Sequence, residues 1–260
     1  MRSILLTWDI EEFDAPADFG APQQPDDGLA SGAVNWGEWL GITQNWNAKG
    51  TIFITARLAQ AFPEYLHLTK SAGHEIASHG WTHKKEADLR LKDSREKLTH
   101  LAGSPVHGFR SPRLRHVPTS DILEAGYQYD ASSNPAFVPG RYCRWREKRL
   151  PHRVGNLWEV PASVLPLIRL PLFWASFHLL PLPLYQTACL MVMATDGLLS
   201  LYFHPWELSD LTEPEFPRWL RRRSKAERIR RMDKLVRWLG KIGTFRTISD
   251  YLAGMRVTRP

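Results

Sequence analysis

Ser3 to Trp8 is a short uncharged run ending at acids, the pattern of a strand buried on both faces. Thr51-Ile52-Phe53-Ile54-Thr55 repeats it after Gly50, and Leu198 to Phe203 repeats it again. Between these runs the period lengthens. Trp36, Trp39, Leu40 and Ile42 to Trp46 suit a helix that stops before Gly50, after a loop rich in Pro, Asp and Gly that lasts to about residue 30. Ala56 to Ala72 reads as helical, with Pro63 opening a second segment. His74 to Ala77 predicts a strand, Lys85 to Leu101 a charged amphipathic helix, and Val106 to Phe109 another strand. Thr119 to Ala125 is then helical with Gly126 at its C-terminal position, and Tyr127-Gln128-Tyr129 leads into the next strand. Strands alternating with helices predict parallel pairing through crossovers, the α/β class.

The C-terminal third is less regular. Pro161 to Tyr185 is very apolar, yet Arg169 and prolines 161, 166, 171, 181 and 183 exclude a plain spanning helix of about 20 residues. Two readings stay open: an insertion facing the core, or a surface lobe whose Leu167, Leu170, Leu172, Phe173, Trp174 and Phe177 meet a membrane interface or a lipid. Ser224-Lys225-Ala226-Glu227 has the capping-box pattern, and Ile229, Met232, Leu235, Val236 and Leu239 follow at helical spacing, giving a basic amphipathic helix over about 224–240. Its arginines, with Arg221, Arg222 and Arg223 before it, predict either a docked helix with a solvated basic face or a membrane-surface helix. Phe245 to Ile248 reads as a last strand and Ser249 starts a terminal helix.

A chain of 260 residues, 43% hydrophobic and without low-complexity linker or repeat, is expected to form one domain over 1–260. Cys143 and Cys189 match no metal spacing and make no framework of disulfides. Met1 to Leu6 reaches Asp9 too soon for a signal-peptide core, so the expected location is cytoplasmic, extending to peripheral attachment at the inner membrane face. A net charge of +7 calls for an anionic partner. No zinc finger, basic zipper or RNA-recognition signature is present, so nucleic acid is not expected; a phosphorylated substrate or an anionic membrane surface fits better.

The candidate chemistry lies in Ser78-His79-Gly80-Trp81-Thr82-His83 and Asp9-Ile10-Glu11-Glu12. Two histidines four apart face one way if the backbone makes one helical turn, and with a carboxylate from another strand they give an open metal site able to generate hydroxide. Residues 9 and 11 share a side of an extended chain, which favours Glu11 as ligand with Asp9 beside it; Glu12 remains a rival.

In chain order come Thr7-Trp8-Asp9-Ile10-Glu11, Gly73-His74-Glu75-Ile76-Ala77-Ser78-His79 with His83, Gly108-Phe109-Arg110-Ser111-Pro112-Arg113, Tyr129-Asp130-Ala131-Ser132-Ser133 and Leu199-Ser200-Leu201-Tyr202-Phe203-His204-Pro205. Together they resemble the polysaccharide deacetylase family with the NodB homology domain. The resemblance implies an irregular (β/α)7-type barrel and a divalent metal, zinc by default with cobalt, nickel or manganese as alternatives. It implies metal ligands Glu11, His79 and His83, Asp9 as general base, Arg110 paired with that base, His204 as general acid and Asp130 holding the acid histidine. The commonest family pattern has adjacent aspartates, whereas Ile10 stands in the second slot here. Members with an acid one residue further on, including a lipid-linked aminoarabinose deformylase, look nearer. Ala131 replaces the family tryptophan after the fourth-motif aspartate. Arg113 and Arg115 are cations suited to phosphate.

The expected function is metal-dependent hydrolysis of the N-acyl amide, acetyl foremost, of an amino sugar in a glycan or on a polyprenyl phosphate. The alternatives are an allantoinase-like hydrolase of a small amide and a catalytically silent glycan- or lipid-binding protein.

Overall fold

Eight consecutive buried residues make β1 (Ser3–Ile10), which needs neighbours on both edges and both faces. Along one edge, Ser3 to Trp8 pair in parallel with β10 (Leu198–Phe203). Along the other, Thr7 to Ile10 pair with β2 (Thr51–Ile54), while Ser3 and Ile4 pair with β11 (Thr244–Phe245). The computed structural model describes residues 2–22, 26–84, 88–138 and 142–257.

From β2 the parallel order continues through β3 (Glu75–Ser78), β4 (Gly108–Phe109) and β5 (Tyr129–Asp130) to β9 (Leu157–Glu159). The strand β8 (His152–Val154) adds antiparallel to β9, and β6 (Phe137–Val138) with β7 (Tyr142–Cys143) forms a separate hairpin. After β9 the chain turns back beside β10, where the Ser163 N–H donates to the Ser200 carbonyl at 2.9 Å. An irregular segment thus brings the sheet round on itself, and the expected α/β irregular barrel is the observed architecture.

Packing explains the tightest joins. A Cβ at Gly108 would lie 1.9 Å from the Tyr129 ring, so only glycine lets β4 approach β5. On the outer face Trp8, Trp36, Trp39 and Phe203 are buried in one cluster with Leu235 and Leu239 of the helix Lys225–Ile242.

The apolar stretch 161–185 divides between both readings. Val164, Leu172 and Phe177 are fully buried, each contributing about 1.5–3 kcal/mol of apolar burial, whereas Leu167 is 84% exposed at the tip of a turn. The basic helix also departs from expectation. Ser224 caps it as predicted, but Arg228 is only 2% exposed and points inward. Its guanidinium donates to the backbone carbonyls of Glu207, Ser209 and Arg223. Arg231 donates to the Phe177 and Leu180 carbonyls, and Arg222 and Arg223 to that of His178. Arg222, Arg223 and Arg231 thus clamp the end of the apolar segment, while Arg228 ties the helix to the 207–209 turn. The charged helix expected over Lys85–Leu101 begins at Leu91, because Arg90 takes a left-handed φ of 36°; residues 85–87 fall outside the described residues.

Candidate metal centre and catalytic cleft

Asp9 and Glu11 leave β1 at its C-terminal end, His79 follows β3, Arg110 follows β4 and His204 follows β10. This is the end of a parallel sheet where adjoining loops converge and sites form. His79 and His83 reach one another without the expected helical turn. Gly80 takes a φ of +75°, a left-handed kink no side chain would share easily, and the loop it starts stacks the two imidazoles at 5.4 Å between centroids.

Both ring tautomers follow from their partners. His79 Nδ1 lies 2.8 Å from the Arg110 carbonyl, which can only accept, so Nδ1 carries the proton. His83 Nδ1 lies 2.7 Å from Asp14. Burial would raise Asp14, but hydrogen bonds and charge from His83 and Arg113 hold it below the usual carboxylate range, so it accepts. The two Nε2 lone pairs therefore point inward, to 3.2 and 3.0 Å from the same Glu11 oxygen.

Three acceptors facing each other need a cation or a proton between them. Burial, with repulsion from Asp14 and Asp9, pushes Glu11 up to about 8 despite His83 and Arg113, and its Oε2 and His79 Nε2 are buried without a hydrogen-bond partner. Tetrahedral ligands about 2.0–2.2 Å from zinc are roughly 3.3 Å apart, close to the distances present. The donor set fits a divalent metal. Glu12 lies outside this group: it accepts from the His83 N–H at 3.2 Å and sits 3.8 Å from Arg57.

Arg110 is 2% exposed. It donates to Asp9 at 2.6 Å, to Thr7 at 2.8 Å and to the Ala131 carbonyl at 3.0 Å, with its plane over Phe53. Burial alone would raise Asp9, but Arg110, with His79 and His204, holds it ionised below its ordinary value. The other Asp9 oxygen faces His204 Nε2 across 3.9 Å.

The partner of His204 is not the expected one. Its Nδ1 lies 3.0 Å from Glu207, whose carboxyl also accepts from the His204 backbone N–H at 2.5 Å and meets His178 Nε2 at 2.9 Å. Asp130 instead accepts from Ser132, at 3.0 Å from its N–H and 2.5 Å from its hydroxyl. The reason is local: Pro205 to Leu208 is a 3-10 turn that returns the side chain of Glu207 to the residue three positions earlier, whereas Asp130 ends a strand paired with β4 and β9. His-Pro-x-Glu is itself a capping pattern, with proline at the first turn position and the acid at the third, so the sequence carried this signal. His178 had no comparable signal. Arg113 is also occupied, donating to Asp14, Asp18 and the His83 carbonyl.

The cleft over these groups holds about 460 Å³. One wall is Phe173, Trp174, Tyr202, Trp206 and Trp219, with the Trp174 ring 5.9 Å from that of His204. Trp174, supplied by the apolar segment, provides an aromatic surface where the fourth motif has only Ala131. A larger cleft of about 1170 Å³ opens near Trp46, His74 and Phe245, at the opposite ends of the strands, away from these residues.

Comparison with known proteins agrees with this layout. The family profile described as polysaccharide deacetylase matches residues 25–129, and one described as a domain of unknown function, DUF3473, matches residues 132–253. A peptidoglycan deacetylase of Helicobacter pylori is 28% identical over 148 residues, covering 50% of this chain and 50% of that protein, so the chain spans about half the length of this curated relative. Among solved structures, a polysaccharide deacetylase-type protein of Mycobacterium smegmatis superposes with a TM-score of 0.64 at 20% identity, covering 99% of this chain and 94% of that one. The Puue allantoinase superposes with a TM-score of 0.66 at 16% identity, covering 99% and 91%. These likenesses show the fold, and the profile match places residues 25–129 in the polysaccharide deacetylase family.

Proposed function

We propose that the protein is a metal-dependent hydrolase that removes an N-acyl group, acetyl foremost, from an amino sugar. One observation carries the reading: three inward ligand atoms stand beside an ionised Asp9 and a buried His204, under an aromatic wall. Glu11, His79 and His83 would hold the metal, zinc by default, which when bound supplies Lewis acidity toward the amide oxygen and water. Asp9, fixed by Arg110, takes the proton of the attacking water. His204 Nε2 faces the same space and gives a proton to the departing amine, while Glu207 compensates the charge its ring must carry. The tryptophans suit the apolar face of a pyranose ring.

The finer reading is a glycan precursor linked to polyprenyl phosphate, handled by a single catalytic unit at the cytoplasmic membrane face. Two features support the lipid part. The helix Leu182–Asp196 exposes Leu184, Leu190 and Met191, and Leu167 and Ile168 project nearby in sequence. Phe173 and Trp174 belong to the cleft, and several arginines are turned inward, so the lipid-facing surface narrows to those five residues. Among the described residues no helix is long and apolar enough to cross a membrane.

The test is acetate release from N-acetylglucosamine oligomers and peptidoglycan fragments by protein reconstituted with zinc, cobalt, nickel or manganese. Allantoin turnover without sugar deacetylation would overturn the proposal, as would no turnover at all by the metal-loaded protein.

A further inference from the structure

A second cleft of about 580 Å³ adjoins the first, with Leu114 a wall of both and Ser133 in one next to Asn134 in the other. Its rim carries Arg115, Arg144, Arg146 and Lys148. Arg144 lies 3.7 Å from Glu147; among the described residues Arg115, Arg146 and Lys148 make no ion pair with a carboxylate. Four cations around one concavity repel one another and attract anionic oxygen.

The floor holds two acids, Asp130 and Glu159, directly opposite on paired strands β5 and β9. Burial foremost, with repulsion from Asp130, pushes Glu159 up to about 8; burial lifts Asp130 to about 6. Near neutral pH this pair retains about one proton, so its remaining charge together with that of Glu147 still leaves the four cations in excess. The segments forming the cleft, 114–119 and 144–154, contribute nothing to the metal centre except through Leu114.

We propose that this cleft binds an anionic oxygen group, phosphate or carboxylate, carried by the substrate beside the sugar whose amide is cleaved. The inference rests on the deacetylase reading and gives it a substrate class, an acidic glycan. Guanidinium groups from different segments, the 112–115 turn and the 144–148 turn, can grip one oxyanion from two sides. Such an anion would fix the register of the chain along the joined clefts. Two sources share this chemistry: a phosphate at the reducing end of a precursor, or a uronic acid within a polymer.

Three N-acetylglucosamine-containing oligosaccharides of equal length distinguish them, one neutral, one with a reducing-end phosphate and one containing a uronate. The wild-type protein should show a higher kcat/KM for one anionic oligosaccharide than for the neutral one, and the preferred one identifies the source. In the Arg115→Gln, Arg146→Gln double variant the ratio of anionic to neutral kcat/KM should fall about tenfold, mainly through KM, and added salt should reduce the wild-type ratio likewise. Equal kcat/KM for all three substrates, or a ratio unchanged in the variant, overturns the proposal. Titration of the full chain with inorganic pyrophosphate keeps it separable from the deacetylase reading. Binding weakened about tenfold in the double variant supports the anion site even if no oligosaccharide is deacetylated, and unaltered or absent binding counts against it.

Discussion

Replacing Glu207 by glutamine tests the arrangement around the acid histidine. The amide has the same shape and can still accept from the His204 backbone, so the turn should persist. What disappears is the ionisable carboxyl 3.0 Å from Nδ1, and with it the charge that would form there as the ring takes a proton. At rest, burial pushes His204 down to about 3 and Glu207 well above its ordinary value, so the pair is neutral. To protonate the leaving amine from Nε2, the ring must draw a replacement proton at Nδ1 from Glu207, which becomes the charged partner as the proton moves. A hydrogen bond to a charged group contributes about 1.5–3 kcal/mol and a neutral one about 1. The difference of about 0.5–2 kcal/mol corresponds to a roughly 2- to 30-fold lower kcat. Because a less stabilised imidazolium loses its proton sooner, the alkaline limb of the kcat profile should move down by about one pH unit. Acetate release across pH, with metal content and melting temperature as controls, reads both effects. A kcat within twofold of wild type on an unmoved alkaline limb would refute the reasoning. A larger loss in Asp130→Asn than in Glu207→Gln would return the role to Asp130.

In the metal centre, the His79→Ala, His83→Ala double variant should lose stoichiometric metal, and Glu11→Gln should weaken binding more than Glu12→Gln; metal analysis showing the reverse order moves the ligand to Glu12. Arg110→Met strips a buried carboxylate of its partner and should cost about 3–5 kcal/mol at pH 7 in metal-free protein. The sign with pH follows: Asp9 now stabilises the fold above its unfolded pKa because its folded pKa is depressed, but without Arg110 burial raises it, so the deficit should shrink as pH falls toward 4. A deficit that grows on acidification contradicts the pairing. Gly108→Ala drives a methyl into the Tyr129 ring and should lower stability by about 1–3 kcal/mol in urea unfolding; a neutral outcome shows that β4 and β5 can separate without cost. Anionic vesicles should retain the protein at low salt, and Leu184→Ser with Met191→Ser should release it; retention by the double variant, or none by wild type, removes the lipid reading.

Much of the sheet was legible because β1, β2 and β10 are buried on both faces and so read as unbroken apolar runs. The two-residue strands β4 and β5 were blurred into longer segments, since pairing register, not hydrophobicity, sets their ends. In the site, the two-residue alternation along β1 placed Asp9 and Glu11 on one side. Glu207 was missed because the family resemblance pointed to Asp130, although Pro205 and the three-residue spacing marked a turn. Arg228 was misread for a different reason: an amphipathic pattern counts every arginine as solvent-facing, whereas a guanidinium can be buried when three carbonyls receive it. Asp14 escaped notice because its role depends on a loop meeting His83 far along the chain.

The central place of β1 has a consequence for biosynthesis. During translation it emerges before the strands it pairs with, and one of its edges is completed only when Leu198 to Phe203 appears. Until then a highly apolar strand has an open hydrogen-bonding edge, the kind of surface that invites aggregation or chaperone capture. By then Glu11, His79 and His83 have all been made, whereas His204 and Glu207 have not. A nascent chain could gather its metal ligands well before it had any means of protonating a leaving amine, so competence for hydrolysis would arrive with the same segment that seals the sheet.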